Sequence, residues 1–460
     1  MSAWQSIDNL WGRSPSEAPT VPLHYPLLAV FTVLVAIAPS TWFLSTDHGY
    51  LISGAILATI VIYGALFTRV RFWTNPVFFV LFGGYYAGLI VHYLLHDPHR
   101  ELLYIILSTP VAVFATVVIL PQFIDGRRQV FTMGVTLVSA IIALIGVVVL
   151  WVAATADTGL PDHVGQQVMG LYAIRTVSVF KNPNPYGFFM MIGCLAALYT
   201  VLVRGGIVWI ASLGICLLGL VMSEGDAAFV GFLAGSIIVL SGRHQFLSFL
   251  GIGVGVIALY WMIRIGHVPE VMQTTLMRRV ERWVRSLELI AENPLWGIGF
   301  AEVGSEIGIG REFGFSEIFP PLSSDTGSSS CPHNSYVYPL LSTGLIAGSL
   351  YLSSLVYALA CGIRRRWTSW TAFVVGTASA VYVYMIFESH FLGGLGVSSV
   401  VFGLFVGLML LDDSDGSETE TNAVTARDAL ATSRAGRAVR WIESNGRDGV
   451  GSPSHSRREN

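Results

Sequence analysis

His333 stands in SSSCPHNSYVYPLL, where a stretch rich in Gly and Ser gives way to an apolar run. An imidazole titrates near pH 6.5 in water, so a histidine at that boundary can take or give a proton at neutral pH. Its plainer use is to cap the apolar segment at an interface. Two groups of cations lie at similar boundaries. Arg175 and Lys181 belong to RTVSVFKNPNPYGFF, whose Asn182, Pro183, Asn184 and Pro185 make a rigid turn before an apolar run, with Gly187 permitting close packing. Lys181 is the only lysine in the chain. Long cationic side chains at such an edge also serve as ordinary interfacial anchors. The second group, Arg278, Arg279, Arg282 and Arg285, lies in TLMRRVERWVRSLELIAENP. A last pair, Glu388 and His390 in FESHFLGG, closes another apolar run. Ionisable residues at membrane depth are functional candidates, although at the edge of a bilayer they cost little.

These residues need a scaffold, and the composition says what kind. The chain has 460 residues, 53% hydrophobic and 12% charged. A soluble domain carries about 25% charged residues, so half the usual charge leaves most of the surface facing lipid. A net charge of −3 gives no reason to expect a nucleic-acid partner. A membrane span needs about 20 mostly apolar residues. That length predicts spans near 26–45, 49–67, 76–95, 102–120, 130–154, 186–203, 206–223, 227–241, 246–263, 335–357, 369–387 and 395–411. The expected fold is an all-α, polytopic transmembrane bundle of about twelve spans with a large, partly helical external loop.

Arginines in short loops set the orientation. With the N-terminus cytoplasmic, the inner loops hold Arg69 and Arg71, Arg127 and Arg128, Arg204, Arg243 and Arg364 with its two arginine neighbours. Both termini are then inside, and the long segments 155–185 and 264–332 are outside. Leu276, Val280, Trp283, Leu287 and Ile290 recur at spacings of three or four within the second, which predicts an amphipathic helix along the outer face. Pro294 ends it, and Gly297 and Gly299 allow a turn. The expected domains are a cytoplasmic segment 1–25, a membrane domain 26–411 and a disordered tail 412–460 rich in Asp, Ser, Gly and Arg. No short apolar core with a cleavage site opens the chain, so no cleaved signal peptide is expected. Four cysteines make no disulfide framework and show no metal spacing.

In order along the chain, three pieces resemble the O-antigen ligase and O-antigen polymerase superfamily of membrane glycosyltransferases. That family has an Arg followed by a phenylalanine–asparagine–proline–asparagine turn; here Arg175 precedes FKNPN at 180–184. It has an Arg four residues before a Trp, then an Asn-Pro run and a glycine turn; Arg279, Trp283 and NPLWGIG at 293–299 match. It opens the next span with Pro-His-Asn and a later Gly, matched by PHNSYVYPLLSTG at 332–344. The set covers about a third of the chain. One departure stands out: many members carry Ser-Arg after the intervening span, where this chain has MSEGD, with Ser223 followed by Glu224, Gly225 and Asp226.

The resemblance implies transfer of a glycan from a polyprenyl-diphosphate carrier to a glycan, lipid or protein hydroxyl on the outer membrane face. Such a donor is an anion anchored in lipid, and its departing diphosphate needs preorganised cations. Arginine suits this because its fork binds phosphate bidentately. The implied roles are His333 as general base, and Arg175 and Arg279, with Lys181 and Arg282 behind them, for the diphosphate. Asn184 belongs to the matched turn, and Glu388 and His390 are candidate sugar or acceptor contacts. Direct displacement inverts the anomeric centre, and no cofactor or metal is expected, because no Asp-x-Asp pair lies on an external loop. A flippase or transporter of lipid-linked glycans is the alternative, but it predicts internal repeats and mid-span charges that the chain lacks.

Overall fold

The computed structural model describes residues 23–67, 75–95, 100–155, 167–168, 171–172, 177–242, 270–300, 303 and 331–411. The chain divides into two units, 1–411 and 412–460, and every described residue lies in the first. The expected span 246–263, Arg175 and the expected tail lie outside the described residues.

Among the described residues the helices run α1 His24–Val35, α2 Thr46–Phe67, α3 Pro76–Leu95, α4 Arg100–Val113, α5 Leu120–Asp125, α6 Arg128–Thr155, α7 Pro183–Arg204, α8 Ile207–Met222, α9 Asp226–Ser241, α10 Glu270–Glu292, α11 Val337–Arg364, α12 Ser369–Tyr384 and α13 Val397–Leu410. Among the described residues six stretches are long and apolar enough to cross a membrane, namely α2, α3, the continuous run Leu102–Asp125, Arg128–Val152 within α6, α7 and α11. Four shorter apolar helices accompany them. The protein is a helical, multi-pass membrane protein. Gln167–Val168 and Leu171–Tyr172 form a two-residue antiparallel ladder in the first long loop.

Local sequence explains where the elements begin and bend. Asn182 caps α7 by accepting from Asn184 N at 2.9 Å, and Pro183 takes the first helical position, where its missing N–H costs nothing. The expected span 102–120 is not straight: Pro110 lies in α4, and a π-helical stretch, Phe114–Ile119, joins it to α5, with Pro121 in its first turn. Such π segments relieve a disrupted hydrogen-bond ladder. Every residue of α13 is buried, so this evenly apolar helix is an interior strut. Small residues let α9 and α12 cross closely, because a Cβ on Gly235 would lie 2.7 Å from Gly376 O and one on Gly376 2.8 Å from Gly235 O. That crossing fixes α12, whose C-terminal end leads through a turn at 385–387 to Glu388.

Candidate functional site

The segment containing His333 is tied on both sides. Asn334 Oδ1 accepts from the backbone N of Tyr336 and Val337 at 2.9 and 3.1 Å, closing the turn before α11. Ser335 N donates to Met385 O at 2.9 Å. Ser335 Oγ donates to Glu388 O at 2.6 Å and accepts from His390 N at 2.7 Å. Asn334 N donates to Ser389 Oγ at 3.2 Å. Between these ties His333 adopts φ 45°. A side chain in that region is held by its surroundings at a cost of about 1–3 kcal/mol.

Helix α10 reaches the same place. Trp283 Nε1 donates to Pro332 O at 2.8 Å, one residue before His333. Arg279 donates through one terminal nitrogen to Phe387 O and through the other to Glu388 Oε1 at 3.2 Å, with its guanidinium 6.0 Å from the centre of the Phe387 ring. The buried face of α10 is turned from the one its apolar periodicity predicts. Ser286, Leu289 and Ile290 are buried, whereas Val280 and Leu287 are exposed. Ser286 tolerates burial because its hydroxyl donates to Arg282 O at 2.7 Å.

Beyond α10 the NPLWGIG turn docks on a break in α11. Gly344 has φ 78° and Gly297 φ 69°. Ile298 N donates to Leu341 O at 2.9 Å, Gly299 N to Ser342 O at 3.2 Å, and Leu345 N to Pro294 O at 2.8 Å. A Cβ at Gly297 would run into Leu341 O, and one at Gly344 into Leu295 O. Only glycine combines that backbone with that approach.

Glu388 joins three of the pieces. Its side chain is 9% exposed. Oε1 accepts from Asn184 Nδ2 at 2.9 Å as well as from Arg279. Oε2 stands 3.5 Å from His333 Nδ1, an ion-pair distance that misses hydrogen-bond geometry and leaves this buried nitrogen without a hydrogen-bond partner. Burial pulls the His333 imidazole down, but contact with Cys331 and with the Glu388 carboxylate overrides it and raises its pKa to about 9. Burial pushes the Glu388 carboxyl up, yet His333 and then Arg279 hold it below its ordinary value. Burial likewise pushes the Cys331 thiol up, and His333 beside it brings it below the ordinary thiol range. Burial lowers the His390 imidazole, which stacks on Tyr384 with centroids 5.7 Å apart.

The expected site residues therefore divide. His333, Asn184, Arg279 and Glu388 come together, with His390 alongside. Lys181 turns away, Nζ donating to Thr46 Oγ1 at 2.6 Å at the start of α2. Arg282 makes no hydrogen bond or ion pair through its guanidinium among the described residues. The MSEGD turn packs over the first turn of α7, where a Cβ on Gly187 would lie 2.8 Å from Ser223 Oγ, and Glu224 takes φ 49°. A depression of about 340 Å³ lined by Val280, Glu281, Val284, Arg285 and Glu288 lies on another flank of α10 and includes none of the joined residues. Ser335 and Ser389 are parts of the site that residue type alone did not mark; their proximity to His333 and Glu388 was the available signal.

Residues 188–352 match the family model described as O-Antigen ligase. Over that segment the chain is similar to the O-antigen ligase family. The matched O-antigen ligase segment opens in the first turns of α7 and closes within α11, so it includes Arg279 and His333, while Asn184 and Glu388 lie outside it. It supports a membrane glycosyltransferase of the O-antigen ligase or polymerase type, with a lipid-linked glycan donor and membrane lipids as its surroundings. Among solved structures, a chain from "Structural coordination of polymerization and crosslinking by a peptidoglycan synthase complex" is similar over 73% of this chain and 96% of that one, with 14% identity and a TM-score of 0.40. No curated protein matches.

Proposed function

We propose that the protein moves a glycan from a polyprenyl-diphosphate carrier to a hydroxyl acceptor at the outer face of the cytoplasmic membrane, with both termini inside and about twelve spans. The observation that carries this reading is the meeting at Glu388 of His333, Arg279 and Asn184, three polar residues from three distant segments.

His333 takes the proton of the acceptor hydroxyl as its oxygen attacks the anomeric carbon from the face opposite the diphosphate. The new carbon–oxygen bond forms while the bond to the phosphate oxygen breaks, and its electron pair leaves with the diphosphate. The anomeric centre inverts, and the proton on His333 passes to water. A positioned base of this kind contributes about 10²–10⁴ in rate. Arg279 places its spare N–H donors and charge where the diphosphate gathers negative charge, a contribution of about 10²–10³, with Arg175 and Arg282 as further cations of the approach, while Lys181 is engaged by Thr46. The chain supplies these cations itself, so the displacement needs no metal. Glu388 and His390 border the acceptor side.

The test is glycan transfer in membranes from cells carrying His333→Ala or Arg279→Ala, with protein level measured in parallel. The expected outcome is glycan retained on its lipid carrier at normal protein abundance. Transfer at the wild-type rate in both variants overturns the reading, and movement of the lipid-linked glycan across the membrane would then be measured as the transporter alternative.

A further inference from the structure

We infer that Glu388 is a positioning residue, the single buried carboxylate that sets both the orientation of Arg279 and the proton affinity of His333, rather than a contact for sugar. The inference rests on the transferase reading above but on separate observations. One carboxylate oxygen is filled from two directions, by Asn184 Nδ2 at 2.9 Å and by Arg279 at 3.2 Å. The other faces His333 Nδ1 at 3.5 Å. The carboxylate is 7% exposed as a residue and its backbone carbonyl is taken by Ser335 Oγ at 2.6 Å. Oε1 is thus taken twice by protein donors, and Oε2 is turned to His333.

An acid buried beside one cation would be a simple ion pair. Here the acid is shared. With His333 protonated, two cations, His333 and Arg279, face the one carboxylate of Glu388, an excess of positive charge in this trio suited to an anionic donor. When His333 is neutral, Glu388 and Arg279 balance and the imidazole is free to act as base at its far nitrogen, Nε2. Glu388 faces Nδ1 across 3.5 Å and its charge favours the tautomer with the proton there, the logic by which a carboxylate orients a catalytic histidine. The other titratable groups near the pair are Cys331, two residues before His333, and His390 and Tyr384, which adjoin Glu388 from its own loop and from α12. Arg279 is the cation arriving from α10, and α7 contributes the neutral Asn184.

Two substitutions move His333 in opposite directions if the carboxylate is shared. Glu388→Gln keeps shape and hydrogen bonding but removes the charge, so the His333 titration midpoint falls by about one pH unit or more. Arg279→Gln frees the carboxylate for His333 alone, so the midpoint rises. The full chain, labelled with ¹³C-histidine and held in lipid nanodiscs, is titrated by NMR, with His333→Gln identifying the resonance. Opposite shifts establish the shared carboxylate. An unchanged midpoint in Glu388→Gln, or in Arg279→Gln should the first variant fail to fold, overturns it. The titration needs no donor or acceptor, so it can succeed even where the transfer assay has failed, and the two ideas fall separately. In membranes that transfer glycan, Glu388→Gln also moves the rising limb of the pH–rate profile to lower pH, which a purely structural loss would not do.

Discussion

The two ends of the Asn-Pro turn offer a comparison within one short segment. Asn184 turns inward to a carboxylate that is almost wholly buried, while Lys181, three residues earlier, turns to the hydroxyl of Thr46 and remains exposed. Both are polar groups at the same membrane edge, and sequence alone marked the lysine as the more arresting. Charge therefore does not rank residues here; enclosure does. A charge-assisted contact removed from water is costly to lose because its partner stays buried without it, whereas an exposed amine simply returns to solvent.

The largest effect that would break this contrast belongs to His333. His333→Ala is expected to lower transfer by about 10²–10⁴ at unchanged protein level, read as glycan left on its carrier. Second is the pH dependence. His333 has its pKa raised to about 9, so its base form is the minority near neutrality, and the transfer rate should climb from pH 7 to about 9 and then level. A flat profile over that range would assign His333 a cationic rather than a basic role. The same shift acts on stability: the imidazolium pairing contributes fully below the ordinary histidine pKa of about 6.5 and is lost as pH rises towards 9. A melting temperature that falls between those limits, and falls less in His333→Gln, checks it. Third, Gly344→Ala forces a side chain into φ 78° against Leu295 O; a destabilisation of about 1–3 kcal/mol is expected, read as a lower melting temperature in nanodiscs. Smallest is Lys181→Met, which should change stability by less than about 0.5 kcal/mol and transfer by a few-fold at most. A loss as deep as that of His333→Ala would reverse the ranking on which the comparison stands.

What could be read from the sequence follows from how local the cause is. The start of α7 was legible because Asn182 and Pro183 impose it within three residues. The end of α10 was legible for the same reason, since Pro294 lies two residues beyond its last residue, Glu292. The face α10 buries was not, because apolar periodicity cannot weigh Ser286, whose burial is made cheap by a bond to its own helix. The break at Gly344 was hidden too: nothing within α11 requires it, and the turn from 294 to 299 that lodges there comes from 45 to 50 residues upstream. For the site, three pieces were recognisable as motifs, yet their convergence on Glu388 depends on α12 ending at one particular height. No residue type records that.

The turn seated in the break of α11 has a consequence for how the molecule opens. The amides of Ile298, Gly299 and Leu345 each find their acceptor across the junction, so none can exchange with water unless the turn lifts out as a whole. Local opening comes in cooperative units of this kind. Hydrogen exchange should report these three amides with one shared rate, slower than that of the exposed end of α10. By that measure the loop and the helix it is lodged in form one unit.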